Sequence, residues 1–299
     1  MANVHILGAG AVGLSFAHAL SKQHNVTIIS RHNVVHDWQY SEQQQTAKIN
    51  AQTLQLNHLK PYKEAIENCF ICVKSYQLWQ AITDVLPHLA DHANILISHN
   101  GMQDIKAVSK QLTPNQALYF VSTARGALKL SAYHVHATGQ GDTYLGACNE
   151  LARSNIQSIY HNFFATLLSP SFMHDDIQLL RWQKLIVNIA INPLSALHQI
   201  PNGHLRHPRF ASTILVLLNE ACVVAKKVDI NLPLSDALDS AYLVMKRTSC
   251  NYSSMAQDVK HGRKTEIDAI CGYVVTLAKQ FNIAVPQNEQ LLQAIKSRH

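Results

Sequence analysis

Val4-His5-Ile6-Leu7-Gly8-Ala9-Gly10-Ala11-Val12-Gly13 runs from an apolar stretch through a glycine-rich turn into an apolar-periodic segment. That order predicts strand, turn and helix. In such a unit the first glycine permits the tight turn. The second lets backbone approach a pyrophosphate, and the third lets helix and strand pack closely. The helix that follows aims its free N–H groups and positive dipole end at the phosphates. Gly8, Ala9, Gly10, Ala11, Val12 and Gly13 are therefore expected to hold a dinucleotide, the alternative being a plain tight strand–helix turn.

The second strand reads Val26-Thr27-Ile28-Ile29-Ser30. An NAD site places Asp or Glu at its end, on the ribose 2′-hydroxyl. Here Ser30 and Arg31 take that place, with His32 behind them. A guanidinium pairs with a 2′-phosphate that an acid would repel. The expectation is NADP(H), with Arg31 on the 2′-phosphate.

The chain's 299 residues predict one large or two ordinary domains, and 47% hydrophobic residues suffice for packed cores. No run of 18 apolar residues free of charge occurs, so no membrane span is expected. The sequence enters its first strand without a basic region and apolar signal core, which predicts a cytoplasmic protein. The net charge of +6 is scattered rather than clustered, which excludes a nucleic-acid binder and suits anionic ligands. Cys69 and Cys72 fall in Cys69-Phe70-Ile71-Cys72-Val73, an apolar strand whose i and i+3 positions face opposite ways. They read as core cysteines. Among 18 histidines there is no HExxH, and His134 and His136 share a strand face without an evident third ligand. No metal is expected.

Up to residue 170 the pattern alternates. An irregular excursion with short strands is expected over 42–57, then a buried strand at 69–73 and a helix at 76–86. A strand at 94–98, a helix near 103–111 and a strand at 117–122 follow. Residues 133–137 and 142–145 flank Thr138-Gly139-Gln140-Gly141 and predict a hairpin; 149–168 predicts an amphipathic helix. Such βαβ alternation implies a mainly parallel, doubly covered sheet. Near Ser169-Pro170-Ser171 the pattern changes, and helices are expected over 177–192, 210–228, 234–246, 254–259 and 266–281, with a short one after Pro286. The fold class is α/β: a Rossmann-type dinucleotide-binding domain over 1–170, then an all-helical domain over 171–299. A cleft between two such domains is where a small substrate would meet the nicotinamide.

The helical half holds the second informative stretch, Arg181-Trp182-Gln183-Lys184-Leu185-Ile186-Val187-Asn188-Ile189-Ala190-Ile191-Asn192-Pro193. Between Leu185 and Ile191 only Asn188 is polar, so the helix is expected to be buried. Lys184, Asn188 and Asn192 recur at i, i+4 and i+8 and form one polar stripe. Buried, they must pair with protein groups or line a ligand cleft. Pro193 is expected to kink or end the helix. A partly buried lysine has a lowered pKa and suits a general acid that protonates the oxygen of a ketone being reduced. Ser254 and Gln257 have capping-box spacing, and Thr265-Glu266-Ile267-Asp268 reads as another cap. Asn100, in His99-Asn100-Gly101-Met102, and Lys74 each follow a strand at its C-terminal end, where open parallel sheets bind ligands.

Taken together these residues resemble the ketopantoate reductase (2-dehydropantoate 2-reductase) family. The resemblance runs from Gly8–Gly13 and Arg31 through Val73-Lys74, Asn100-Gly101-Met102, Trp182-Gln183-Lys184-Leu185, Asn188 and Ile191-Asn192-Pro193-Leu194. It continues through Pro201-Asn202-Gly203, Ser253-Ser254-Met255-Ala256-Gln257-Asp258, Thr265-Glu266-Ile267-Asp268 and Gly272 to Ile283-Ala284-Val285-Pro286. It implies NADPH-dependent reduction of 2-dehydropantoate to (R)-pantoate, with Lys184 as proton donor. It implies substrate contacts at Asn188, Asn192, Asn202 and Ser254, with Asn100 near both nicotinamide and substrate. Lys74 lines the same cleft, and Glu266 goes with the cofactor ribose. Ser122-Thr123-Ala124-Arg125-Gly126-Ala127 matches only loosely, and a cofactor contact is placed at Ala127. The expected partner is a small 2-oxo acid, without nucleic acid or membrane, for a monomer or homodimer. The alternatives are a paralogous reductase of another 2-oxo acid and a non-enzymatic NADP(H) sensor. A sensor would have no use for the Lys184–Asn188–Asn192 stripe.

Overall fold

A computed structural model describes residues 1–31, 37–59, 65–165, 167 and 170–298. His32, Leu168 and Ser169 lie outside them. The chain divides into two compact units, Met1–His99 with Asp104–Ile177, and Asn100–Gln103 with Gln178–His299.

The first unit contains β1 (Asn3–Leu7), α1 (Ala11–Leu20), β2 (Asn25–Ser30), β3 (Gln39–Glu42), β4 (Gln45–Lys48), β5 (Ala51–Gln55), β6 (Ile66–Ile71) and α2 (Leu78–Val85). It continues with β7 (Leu89–Ile97), α3 (Ile105–Ser109), β8 (Ala117–Thr123), β9 (Gly126–Lys129), β10 (His134–Gly139), β11 (Thr143–Ala147), α4 (Glu150–Phe163) and β12 (Ser171–Met173). Its main sheet is eight-stranded in the order β12-β11-β8-β7-β6-β1-β2-β5. From β5 to β8 every pairing is parallel, and β11 joins β8 antiparallel. Read in chain order, β5-β2-β1-β6-β7-β8 is the strand order of the doubly wound dinucleotide-binding fold, with its switch point between β1 and β6. The central strands are apolar on both faces because helices cover both; β8 is buried from Ala117 to Ser122. Cys69 on β6 and Cys72 just past its end are free and buried, and burial pushes the Cys69 thiol up to about 12.

The excursion at 42–57 resolves into β4 and β5, and β5 forms an edge of the main sheet. The expected hairpin at 133–145 is not one. β10 joins a separate four-stranded sheet, β4-β3-β10-β9, in parallel with β3 (Val135 opposite Tyr40), whereas β11 pairs with β8 in the main sheet. Alternating hydrophobicity marks both strands, but β10 finds its parallel partner far back in the chain, and the turn residues between it and β11 become a crossover. The expected helix at 149–168 starts as predicted, with Asn149 accepting from the Ala152 N–H at 3.0 Å, and stops earlier, at Phe163. Phe163 and Phe164 turn into the core against Phe16 and Phe70.

The second unit is built on α5 (Ile177–His198), α6 (Ala211–Lys226), α7 (Leu234–Arg247), α8 (Ser254–Lys260), α9 (Cys271–Gln280) and α10 (Pro286–Lys296). Pro193 does not end α5, which continues to His198. A proline forfeits one backbone bond, but the surrounding Ile189, Ala190, Ile191, Leu194 and Ala196 are all core residues whose burial holds the helical path. The stretch expected as one helix over 266–281 is a short 3-10 turn, Ile267–Ala269, a break at Ile270, and then α9. The buried Glu220 of α6 accepts from the backbone N–H groups of Gln287 and Asn288 at 2.9 and 3.0 Å, closing the start of α10. Among the described residues, Pro208–Lys226 is long and apolar enough to cross a membrane, and half of it is buried within the unit.

A loop from the first half of the sequence completes this unit. The Met102 N–H donates to the Ala269 carbonyl at 2.7 Å, and Arg181 Nη2 donates to the Gln103 carbonyl at 3.0 Å. Gly101 between them has φ +71°, and a Cβ there would lie 2.5 Å from the Ala269 carbonyl oxygen. Both the backbone angle and the space demand glycine.

Candidate cofactor and substrate sites

In the first unit the glycine turn has the anatomy its sequence predicts. Gly8 has φ +111°, and a Cβ there would strike the Cys72 carbonyl of the neighbouring strand end. A Cβ on Gly13 would strike the Gly8 carbonyl, so the third glycine seats α1 against the turn. Gly10 differs: a Cβ would meet nothing nearer than the Cys72 carbonyl at 4.0 Å. Its outer face is open. Gly10 is also the N-cap of α1, with no side chain capping it and no acid in the first turn. The helix therefore starts with uncapped N–H groups beside an open glycine, the cradle a pyrophosphate requires. These residues fit a dinucleotide.

Arg31 follows β2 and is exposed. Two residues earlier the Ile29 carbonyl accepts from the Gly8 N–H at 3.4 Å, which fixes this strand end beside the turn. Lys74 lies just past β6, on the other side of β1, where the Cys72 N–H donates to Leu7 at 2.8 Å. Ala127 and Val12 line one cavity with Ser15, Phe16, Thr123 and Arg125. Arg31, Lys74 and the glycine turn thus occupy adjacent strand ends, while Ala127 is on β9 of the smaller sheet.

Sequence reasoning missed one cation here. Lys129 Nζ, at the end of β9, donates to the carbonyl of Ala9 at 2.8 Å. Desolvation lowers its pKa. No local pattern signals it, because 120 residues separate the partners.

The second unit gathers the remaining candidates. Lys184, Asn188 and Asn192 lie along α5; Lys184 and Asn188 are half-buried, and Asn192 is buried. Burial lowers the Lys184 pKa to about 8, and the nearby Glu266 carboxylate opposes the shift. Glu266 is itself buried. Asn100 is carried by the loop whose neighbour Gly101 packs on Ala269, three residues beyond Glu266.

Ser254, in capping-box spacing with Gln257, is not the cap. The N-cap of α8 is Ser253, whose hydroxyl accepts from the Ala256 N–H at 3.1 Å. Spacing alone cannot separate the two adjacent serines. Ser253 is buried and Ser254 is exposed, so the Ser254 hydroxyl is not spent on the helix end. Asn202 is buried and donates through Nδ2 to Thr248 Oγ1 at 3.0 Å; its backbone N–H donates to Asn251 at 2.8 Å. Its Oδ1 has no hydrogen-bond partner among the described residues. A buried amide oxygen in that state is costly unless a ligand or water donates to it. Glu266 likewise makes no capping bond to the turn that follows it.

Residues 4–150 match the family described as Ketopantoate reductase PanE/ApbA, and residues 176–299 its C-terminal part, described as Ketopantoate reductase PanE/ApbA C terminal. The 2-dehydropantoate 2-reductase of Vibrio cholerae is 38% identical over 99% of this chain and 97% of its own. The solved PanE/ApbA family ketopantoate reductase from Ralstonia eutropha is 25% identical, with TM-score 0.87 over 99% of this chain and 98% of its own. D-mandelate dehydrogenase, solved with NADH and anilino(oxo)acetate, shares the fold with TM-score 0.89 at 19% identity, over 99% and 98% of the two chains.

Proposed function

Because this chain belongs to the ketopantoate reductase family, we propose that it reduces 2-dehydropantoate to (R)-pantoate with NADPH, in the synthesis of pantothenate. Lys184 carries the reading: a half-buried lysine with its pKa lowered to about 8, beside a buried carboxylate, heading the polar stripe of a helix whose other faces are largely apolar.

The first unit is assigned the cofactor. Gly8 to Gly13 with the start of α1 hold the pyrophosphate, Arg31 pairs with the 2′-phosphate, and Lys74 and Ala127 add contacts from the same unit; Asn100 and Glu266 of the second unit are the remaining cofactor residues in this reading. When bound, NADPH supplies the hydride for the ketone carbon. The chain's own task is to accept the charge that develops on the ketone oxygen. The Lys184 ammonium donates its proton there, and a pKa near 8 lets it both give and recover a proton near neutral pH. The nearby Glu266 side chain opposes the effect of burial on Lys184 and so favours its protonated form before reaction. Asn188, Asn192 and Asn202 orient the hydroxyl and carboxylate ends of the substrate with neutral amides. The uncommitted Ser254 hydroxyl adds another hydrogen bond.

The test is a panel of 2-oxo acids, including 2-dehydropantoate, scored by loss of NADPH absorbance. The reading expects 2-dehydropantoate to give the highest kcat/KM. A clear preference for another 2-oxo acid would make the chain a paralogous reductase. NADPH binding with no turnover on any of them would favour a sensor.

A further inference from the structure

The smaller sheet has a purpose beyond covering α1. Its edge strand β9 ends at Lys129, whose ammonium group reaches back to the glycine turn and donates to the Ala9 carbonyl at 2.8 Å. The lysine is not carried on a loose tail. Lys129 is in register with Val135 of β10, and β10 is clamped in turn to β3, with Val135 opposite Tyr40. Two strands therefore fix where this side chain starts.

The partner at the turn is a neutral carbonyl, which cannot balance the charge. Desolvation is what lowers the lysine's pKa, without a carboxylate pulling the other way. A cation held against a turn that begins an uncapped helix, next to a glycine with an open face, lacks only an anion. We propose that Lys129 is a cofactor-binding residue whose ammonium group contacts the pyrophosphate bridge of the dinucleotide. This rests on the dinucleotide reading of Gly8–Gly13 given above. The Ala9 bond then serves as a parking position: the ammonium group is already at the turn, and a short rotation of a flexible stem exchanges a carbonyl for a phosphate oxygen. The pyrophosphate is common to NADPH and NADH, so Lys129 adds affinity without choosing between them. The choice belongs to Arg31.

Three ligands and three proteins test the assignment. Wild type, Lys129→Ala and Lys129→Arg are titrated with NADPH, NADH and adenosine 2′-monophosphate by calorimetry, and each unliganded protein is melted. Lys129→Ala should weaken NADPH and NADH by the same factor, about ten-fold for one lost charge-assisted contact. It should leave adenosine 2′-monophosphate, which has no pyrophosphate, at wild-type affinity. Its NADPH affinity should also fall less steeply with salt. Lys129→Arg should keep most of the binding. Wild-type NADPH affinity in Lys129→Ala would overturn the proposal and reduce the lysine to a latch between strand and turn, whether or not the melting temperature falls. Loss of adenosine 2′-monophosphate binding would also overturn it, by moving the contact to the 2′-phosphate. A wild type that binds neither dinucleotide would overturn the cofactor reading itself, and this inference with it.

Discussion

The hydroxyls of Ser195 on α5 and Ser253 at the head of α8 lie 2.5 Å apart, both buried. Ser195 donates to the Asn192 carbonyl at 3.2 Å, and Ser253 accepts from the Ala256 N–H at 3.1 Å. Each serine has one proton, so the order is fixed. Ser253 donates to Ser195, Ser195 donates to Asn192, and the N–H of Ala256 is satisfied at the other end. This hydrogen-bond relay ties α5 to the turn that presents Ser254. Ser253→Ala should therefore lose the cap, about 1 kcal/mol of stability, and raise KM for the 2-oxo acid more than it lowers kcat. Ser253→Thr keeps both bonds and should recover most of each. Ser254→Ala should raise KM with little loss of stability, since its hydroxyl does not cap. Thermal melts and steady-state kinetics on the three variants separate these outcomes.

Lys184→Ala should lower kcat by the roughly 10²–10⁴-fold expected for a lost general acid, with NADPH still bound. With Lys184 as the proposed donor, reduction consumes its ammonium proton, so kcat should fall as pH rises through about 8. That limb should vanish in Lys184→Ala, and Lys184→Arg should not restore turnover, since a guanidinium hardly releases its proton. Stability carries a second signature. The unfolded chain keeps this proton up to its ordinary 10.5 while the folded one sheds it near 8, so stability should rise between those values. Lys184→Met should flatten that rise. A soluble Lys184→Ala protein with near-normal kcat would reject the mechanism.

Arg31→Ala should narrow the preference for NADPH over NADH by about ten-fold, the loss of one charge-assisted pair with the 2′-phosphate. Direct titration with the two cofactors measures it. Equal affinity for both in the wild type would reject the assignment of Arg31.

At low pH a weak point lies where α1 meets the smaller sheet. His18 stacks on the Tyr40 ring at 4.1 Å, and burial, with lesser pushes from Lys22 and Arg125 against the pull of Glu42, lowers its pKa to about 4. The unfolded chain takes up that proton near 6.5. Stability should therefore decline as pH falls from about 6.5 to about 4. His18→Phe keeps the stack without the proton. Denaturant midpoints measured across that range should fall less steeply in the variant than in the wild type.

The main sheet was legible because its signals are local. Gly8 and Gly13 each answer to a steric fact within a few residues or one neighbouring strand, Gly10 leaves its face open between them, and the Lys184–Asn188–Asn192 stripe follows from helix periodicity alone. The smaller sheet was not legible. Nothing in residues 133–137 shows that their parallel partner is 39–42, so adjacent strands joined by glycines read as a hairpin. The same distance in sequence hid Lys129. At Ser253 and Ser254 the difficulty was finer. Two neighbouring serines satisfy the capping pattern almost equally, and the choice was made by Ser195, a residue no local pattern connects to them. Pro193 misled for the opposite reason. Its local cost is real, but core packing on either side of it outweighs one missing bond.

The second unit is discontinuous along the chain, since Asn100–Gln103 belong with Gln178–His299. Domain engineering must follow that division rather than a single cut. A fragment beginning near residue 178 would leave the Ala269 carbonyl without the Met102 N–H and Arg181 without the Gln103 carbonyl. It would also lack the glycine that fits against Ala269. A chimera that exchanges the C-terminal half between homologues inherits this hazard. The loop from the donor's first half has to travel with the donor's helices, or the graft will join a foreign loop to a turn shaped for another.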